Sequence, residues 1–478
     1  MRRTTVLALI LAGAAAPTSP GRAADAAPAL SAEIRETAES LRQNALSGSR
    51  ASEWIRSLID HSGPRLSGSS GERASIGWGL ETFKTLGFAR VRAEKVRVPF
   101  WQRGVETGEV TAPYPHKLSL TALGGSVPTP AAGLEGEIVE VGSLDELATK
   151  NEAAVRGRIV FFNKRMRRSV DGAGYGETVP IRGSGPSRAA KLGAIGVLIR
   201  SVGTDSNRTP HTGSLKYDEG IAEIPAAALS NPDADLLERL DREGKPVRVR
   251  FTLGCRNLGQ ADSANVIGEI PGTGKSEEIV LLGAHRDSWD LGEGAIDDGA
   301  GCGIVIEAAR LIGALRKRPL RTIRVILFAN EENGLAGGKS YAETHAAELD
   351  RHVAALEADL GSDAPIGFAW NAGPSAERLV GEIAALLAPL GASQVTSTGA
   401  GGADISRLVL AGVPLFSVRQ DASRYFDWHH SANDTLDKID PVPLDRMTAA
   451  VAVFTWVAAN VPQPFERVPK EKRVLPKN

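Results

Sequence analysis

The sequence predicts an α/β protein: a mostly parallel mixed sheet with helices on both faces, carrying an inserted, smaller β-rich α/β unit. Two observations predict it. Past Ser263, apolar strand segments alternate regularly with amphipathic helical segments, the pattern of a parallel sheet covered on both sides. Before that, a Gly/Pro-rich stretch from Leu123 to Gly133 precedes a separate run of short strands reaching Phe251. The length of 478 residues, 42% apolar and 24% charged, suits two or three folded units with sizeable cores.

Taken in order, residues 1–24 read as a secretory leader: Arg2 and Arg3, an apolar stretch from Val6 to Ala16, then small residues. Ser31 to Leu46 carries apolar residues at helical spacing behind a Ser cap. A second helix is expected from Ala51 to Ile59, and a third ends at Gly87 after the loop GPRLSGSS, Gly63 to Ser70. The strand-like segments ARVRAEKVRVPFW and GEVTAP complete a first main-domain segment, 25–124. The inserted unit is expected at 125–258, with strands GEIVEVG, GRIVFFN, IGVLIRSV and VRVRFTL and short helices at Leu144–Thr149, Arg188–Leu192 and Ala234–Asp241. The main domain resumes at 259–462 as NVIGEI, EIVLLGAH, helix Ala300–Leu315, TIRVILFA, helix Leu335–Ala346, HVAALEAD, helix Ala376–Leu390, LFSVRQ and helix Asp445–Val461. Residues 463–478 read as a frayed tail.

Fifty-six Lys and Arg balance fifty-seven Asp and Glu, and the one basic run, Lys164 to Arg168, reads as a solvated loop, so nucleic acid is not an expected partner. Beyond the leader no run of about 18 apolar residues reads as a membrane anchor, which leaves the periplasm or the medium as expected locations. Cys255 and Cys302 cannot make a disulfide framework and read as free buried thiols.

The chemistry concentrates at strand ends. EIVLLGA ends in His285-Arg286-Asp287, TIRVILFAN in Glu331-Glu332 and HVAALEA in Asp359; Asp297-Asp298 precedes a helix, and His429-His430-Ser431 follows the last strand. In α/β sheets that edge hosts the active site. Each residue alone has a structural role to fill, as a helix cap, turn or dipole partner. Together, so many carboxylates at one edge call for cations. Two His and three carboxylates exceed the ligands of a catalytic mono-zinc site and point to two metals sharing a bridging carboxylate. Asp287 is placed to accept the second imidazole N–H of His285.

HRDSWDLGEGAIDDGAG, FANEENG, LEADLG, GGADISRLVLAGVP and WHHSANDT resemble the co-catalytic di-zinc exopeptidases, the family of bacterial leucine aminopeptidase and glutamate carboxypeptidase. The resemblance is nearest to the plasma glutamate carboxypeptidase branch, whose members hydrolyse dipeptides, and covers roughly residues 30 to 462. It implies a protease-associated domain as the inserted unit, two Zn2+ per chain, a peptide substrate and a homodimer. Carried over by residue, it implies one zinc on His285 and Asp359, the second on Glu332 and His430, and Asp297 between them. Glu331 is then the general base acting on a water held between the metals. Asp297 is preferred to Asp298 because the ligand follows an apolar residue, Ile296, in the family motif; His430 is preferred to His429 because the ligand precedes Ser. His429 and Tyr425 are both candidates for stabilising the oxyanion, and Asp404 and His211 for touching substrate. An aminopeptidase on longer peptides, a carboxypeptidase releasing acidic residues, and a catalytically silent binding protein remain the alternatives.

Overall fold

Eight strands form the main sheet, in the spatial order Ala89–Gln102, Arg256–Ile270, Arg321–Phe328, Lys275–His285, His352–Glu357, Leu415–Gln420, Pro365–Asn371 and Gln394–Thr396. In this computed structural model residues 30–397 and 401–475 are described; the expected leader, 1–24, lies outside them. The four central strands run parallel, while the pairs on either side include antiparallel neighbours, which makes the sheet mixed. Every residue of Arg321–Phe328 is buried, as are Ile279 to His285, the signature of strands covered on both faces.

Helices Ala32–Gly48, Ala51–Ser62, Ala300–Gly313 and Pro441–Asn460 cover one face, joining Leu41, Ile55, Ile304 and Val453 to Val280 and Val325 in one core. The other face is closed by Tyr341, Leu408 and Val413 against Leu281 and Ile326. Ser31 and Ser69 cap their helices by accepting the N–H groups of Ile34 and Glu72 at 3.3 and 3.1 Å. Helix Pro441–Asn460 has the length and mean hydropathy, 1.2, of a membrane span, yet 78% of that window is buried inside the protein. It is a core helix.

The second sheet, also of eight strands, runs in the order His116–Leu118, Glu106–Ala112, Arg248–Leu253, Leu134–Val141, Ile159–Phe162, Gly196–Arg200, Ala226–Leu229 and Leu120–Ala122. The chain leaves the main sheet along Ala89–Gln102 and returns along Arg256–Ile270, two antiparallel strands paired from Ala89↔Glu269 to Gln102↔Arg256. The inserted segment therefore starts ahead of the expected boundary at 125, because Glu106–Ala112 pairs with Arg248–Leu253 rather than with the main sheet. Alternation identifies a strand without saying which sheet it joins.

Two further expectations need correction. The short helix expected at Arg188–Leu192 is the end of Ala173–Lys191, whose Pro180 and Pro186 mask its length in the sequence. The tail is not frayed over its described part: Phe465 and Val468 are buried, and the Arg467 guanidinium donates to the carbonyls of Leu349 and Ala411. Strands Pro365–Asn371 and Gln394–Thr396 are additions to the expected set. Cys255 and Cys302 are free and buried, as expected. The basic run lies at the surface, where Arg165, Arg167 and Arg168 pair with Asp235, Glu177 and Asp427.

One ion network fastens the strand edge to the helix layer. Glu348 accepts from Arg324 at 2.6 Å and also meets the His345 ring, while His345 reaches Glu94 on its other side. Burial raises the Glu348 carboxyl, but Arg324 and His345 outweigh it and pull it down to about 2. The depressed value means that the stabilisation is complete above the unfolded carboxyl value of about 4.3 and is lost as pH falls towards 2. Melting curves of the wild type and Glu348→Gln should differ most above pH 5 and converge by about pH 2. A difference constant across that range would contradict the network.

Candidate metal centre

Parallel neighbours end side by side, which is how residues far apart in sequence meet here. His285 is the last residue of its strand; Glu331 and Glu332 follow Phe328, and Asp359 follows Glu357 on the strands to either side. Asp297 lies in the turn Ala295–Gly299 leading into helix Ala300–Gly313, and His430 in the loop after Leu415–Gln420. Among the described residues, four non-glycine residues have positive φ, and three of them, Asn330, Leu335 and His430, flank this edge. Such backbone persists where the surroundings enforce it.

Asp297 occupies the middle. Its Oδ1 lies 3.1 Å from His285 Nε2 and its Oδ2 3.2 Å from His430 Nε2. Asp359 Oδ1 is 3.4 Å from the same His285 nitrogen, and Glu332 Oε2 is 3.0 Å from the same His430 nitrogen. Two donors on one tetrahedral zinc, each about 2.0–2.2 Å from it, lie roughly 3.3–3.6 Å apart. The donor atoms are thus spaced as for two neighbouring ions, and the set of imidazole nitrogens and carboxylate oxygens is one that zinc accepts. His285, Asp297 and Asp359 form one compact group of potential ligands, and Asp297, His429 and His430 a second.

Hydrogen bonds at the back of each ring leave the Nε2 lone pairs free. His285 Nδ1 donates to the Asp287 carbonyl at 3.0 Å, and His430 Nδ1 lies 3.3 Å from the Thr212 carbonyl. Asp298 points away from both rings, and its two oxygens accept the main-chain N–H groups of His285 and Gly301, both at 3.0 Å. It caps the helix, and Asp297 alone faces both histidines.

The electrostatics are severe. Burial pushes Glu331, Glu332 and Asp298 well above the usual carboxylate range, and neighbouring carboxylates push the same way. Burial would also raise Asp297, but His285 and His430 hold it well below its ordinary value. His285 is raised well above an ordinary imidazole, against desolvation, by Asp297 and Asp359; burial lowers His430 to about 4. A pocket of buried carboxylates with opposed histidines is what cations would relieve.

Other expected site residues are placed differently. The Asp287 carboxylate is 3.8 Å from the His285 ring, so the orienting contact comes from its carbonyl. The carboxylate instead accepts the N–H groups of Glu331 and Glu332 at 3.1 and 3.4 Å and fixes their turn. Asp404 does not line the cavity: its Oδ1 accepts from Gly338 N–H at 3.2 Å in helix Ala336–Thr344, while its neighbour Ala403 is exposed to the cavity. His211 is fully buried behind the site, with one ring nitrogen 2.6 Å from the His429 carbonyl and the other 2.8 Å from Asp205. It supports the histidine loop and does not reach the cavity.

A cavity of 610 Å³ opens over the cluster, lined by Asp297, Glu331, Asp359, Tyr425, His429 and His430 and by residues of the inserted segment. The His429 ring stacks on His430 with centroids 3.5 Å apart. Sequence reasoning offered His211 from the inserted segment but did not single out Tyr175, Arg182 and Lys216, which line the cavity. Arg182, 5% exposed, donates to the Tyr175 hydroxyl at 2.7 Å and to the Thr212 carbonyl at 3.3 Å, and both it and Tyr175 face the cavity with Lys216. Tyr175 and Arg182 stand seven residues apart, two turns on one helix face. That spacing was the available signal, obscured by the prolines.

Residues 265–455 match the family described as Peptidase family M28. The chain is 37% identical to mouse carboxypeptidase Q over 418 residues, covering 87% of each protein. The crystal structure of a peptidase M28 precursor from Shewanella amazonensis superposes with a TM-score of 0.90 at 44% identity, over 91% of this chain and 99% of that one. A zinc aminopeptidase from Bacillus subtilis shares the fold at 22% identity, with a TM-score of 0.61 over 85% and 95% of the two chains. With the histidines and carboxylates grouped at one sheet edge inside the matched segment, and relatives this similar along nearly the whole chain, the protein belongs to peptidase family M28 and is a metallopeptidase.

Proposed function

We propose that the protein is a di-zinc exopeptidase that hydrolyses dipeptides or short peptides with free termini. The observation that carries this reading is the position of Asp297, one oxygen against His285 and the other against His430. His285 with Asp359, and Glu332 with His430, would hold the two ions, with Asp297 available to both. Bound zinc would supply a Lewis acid and lower the pKa of water towards neutrality. Glu331, on the cavity wall beside these ligands, takes the proton of the attacking water and returns it to the leaving amine. Asp287 keeps the Glu331 and Glu332 amides in place.

Arg182 supports the choice of a short substrate with a free C-terminus. Its hydrogen-bond acceptors, the Tyr175 hydroxyl and the Thr212 carbonyl, are neutral, so a substrate carboxylate entering the cavity would meet a buried guanidinium. The inserted segment narrows access to the site on this side and disfavours long chains. Export by the leader at 1–24 and assembly as a homodimer belong to the same proposal.

Two experiments test it. Glu331→Gln should lower kcat by about 10²- to 10⁴-fold while both metals remain bound, as read by elemental analysis beside dipeptide hydrolysis. Retained activity would remove Glu331 from the chemistry. Arg182→Met should raise KM for free dipeptides at least tenfold and leave hydrolysis of C-amidated analogues little changed. Equal losses on both substrates would refute carboxylate recognition, and better cleavage of amidated or longer peptides by the wild type would favour the aminopeptidase alternative.

A further inference from the structure

The loop GPRLSGSS stands out in the sequence and takes no part in the proposed chemistry. Its Arg65 is fully buried, yet among the described residues it forms no ion pair. All its guanidinium partners are main-chain carbonyls: Nε donates to Arg286 at 2.7 Å, Nη1 to Glu293 at 2.6 Å and Gly63 at 3.1 Å, and Nη2 to Gly294 at 2.9 Å. Burying a guanidinium this way is costly unless its donors are satisfied. Here two of the four bonds, to the Glu293 and Gly294 carbonyls, hold the segment that leads into Asp297.

A buried carboxylate grips the same segment from its other end. Asp434, four residues after His430, accepts Ile296 N–H at 2.6 Å through Oδ1 and Asp297 N–H at 3.1 Å through Oδ2. Its own carbonyl accepts Glu293 N–H at 2.7 Å. The fit leaves no slack: a side chain at Gly294, where φ is +62°, would collide with Ser288 and Arg65, and one at Gly292 with the carbonyls of Ser431 and Asp434. Two opposite buried charges, from the N-terminal segment and from the histidine loop, thus hold the carbonyls at one end of Glu293–Asp297 and the amides at the other.

We infer that Arg65 and Asp434 are positioning residues for Asp297, acting as a main-chain clamp that aims its two carboxylate oxygens at the two histidines. The inference rests on Asp297 being the shared metal ligand. Neither residue touches substrate or metal. A displaced Asp297 main chain would spoil both ion positions together, because one side chain serves both. Asn at 434 keeps the shape of Asp but offers only one acceptor oxygen, and its NH2 group opposes the second N–H donor.

The test compares Asp434→Asn, Arg65→Met, Arg65→Lys and Asp297→Asn with the wild type. Zinc affinity is measured by competition with a chromophoric chelator, and the folded state of each metal-free protein by circular dichroism and thermal melting. The clamp predicts that Asp434→Asn and Arg65→Met weaken zinc binding by about 10- to 100-fold in protein that is folded without metal, and that Arg65→Lys recovers part of the loss. Wild-type zinc affinity in the folded fraction of Asp434→Asn, whatever its melting temperature, would overturn the clamp. Wild-type affinity in Asp297→Asn would instead remove the shared-ligand reading beneath it. If Arg65→Met fails to fold, Asp434→Asn and Arg65→Lys still decide.

Discussion

The arrangement depends on Asp297 being nearly closed off from water with a histidine on either side. A carboxylate so placed carries a desolvation cost that only positive charge close to both oxygens offsets. The histidines partly supply it, but Asp359, Glu331 and Glu332 crowd the same edge, each raised by burial. Net negative charge packed at this density is the physical argument for resident cations, and it is independent of any likeness to other proteins. The hydrogen bonds of His285 to the Asp287 carbonyl and of His430 to that of Thr212 then acquire a purpose, since they turn the free nitrogens inward.

The fold meets this demand with parallel strands. Lys275–His285 lies between Arg321–Phe328 and His352–Glu357, in register from Val280 onward, so all three deliver their next residues to one edge. The inserted segment completes the site from the opposite side. Thr212 backs His430, His211 supports the His429 carbonyl, and Tyr175 and Arg182 form a wall of the cavity. The long antiparallel pair Ala89–Gln102 and Arg256–Ile270 anchors that segment at both of its ends. The centre is therefore a product of both sheets, although every proposed metal ligand comes from the main one.

Much of this was legible in the sequence, for identifiable reasons. Uniformly apolar strands between amphipathic helices leave few alternatives to a covered parallel sheet, and polar residues at the strand ends then mark the active edge. The preference for Asp297 over Asp298 was not readable from the residues alone, because a one-residue step in a turn reverses which side chain faces inward; in the structure the Asp298 oxygens accept main-chain N–H groups while those of Asp297 lie against both histidine rings. Asp287 was misplaced for a similar reason: the His-x-Asp spacing allows either the carboxylate or the carbonyl to meet the ring. Asp404 and His211 are polar residues in a suggestive neighbourhood whose bonds are internal. Arg182 escaped notice because a helix containing two prolines does not announce itself by periodicity.

The central claim is that one carboxylate, Asp297, joins two metal ions. Anomalous diffraction at the zinc absorption edge from crystals of the zinc-loaded protein tests it directly. The account predicts two peaks roughly 3.5–4 Å apart, one against His285 and Asp359, the other against Glu332 and His430, with Asp297 touching both. A single peak, or two peaks with Asp297 bound to only one of them, would contradict it.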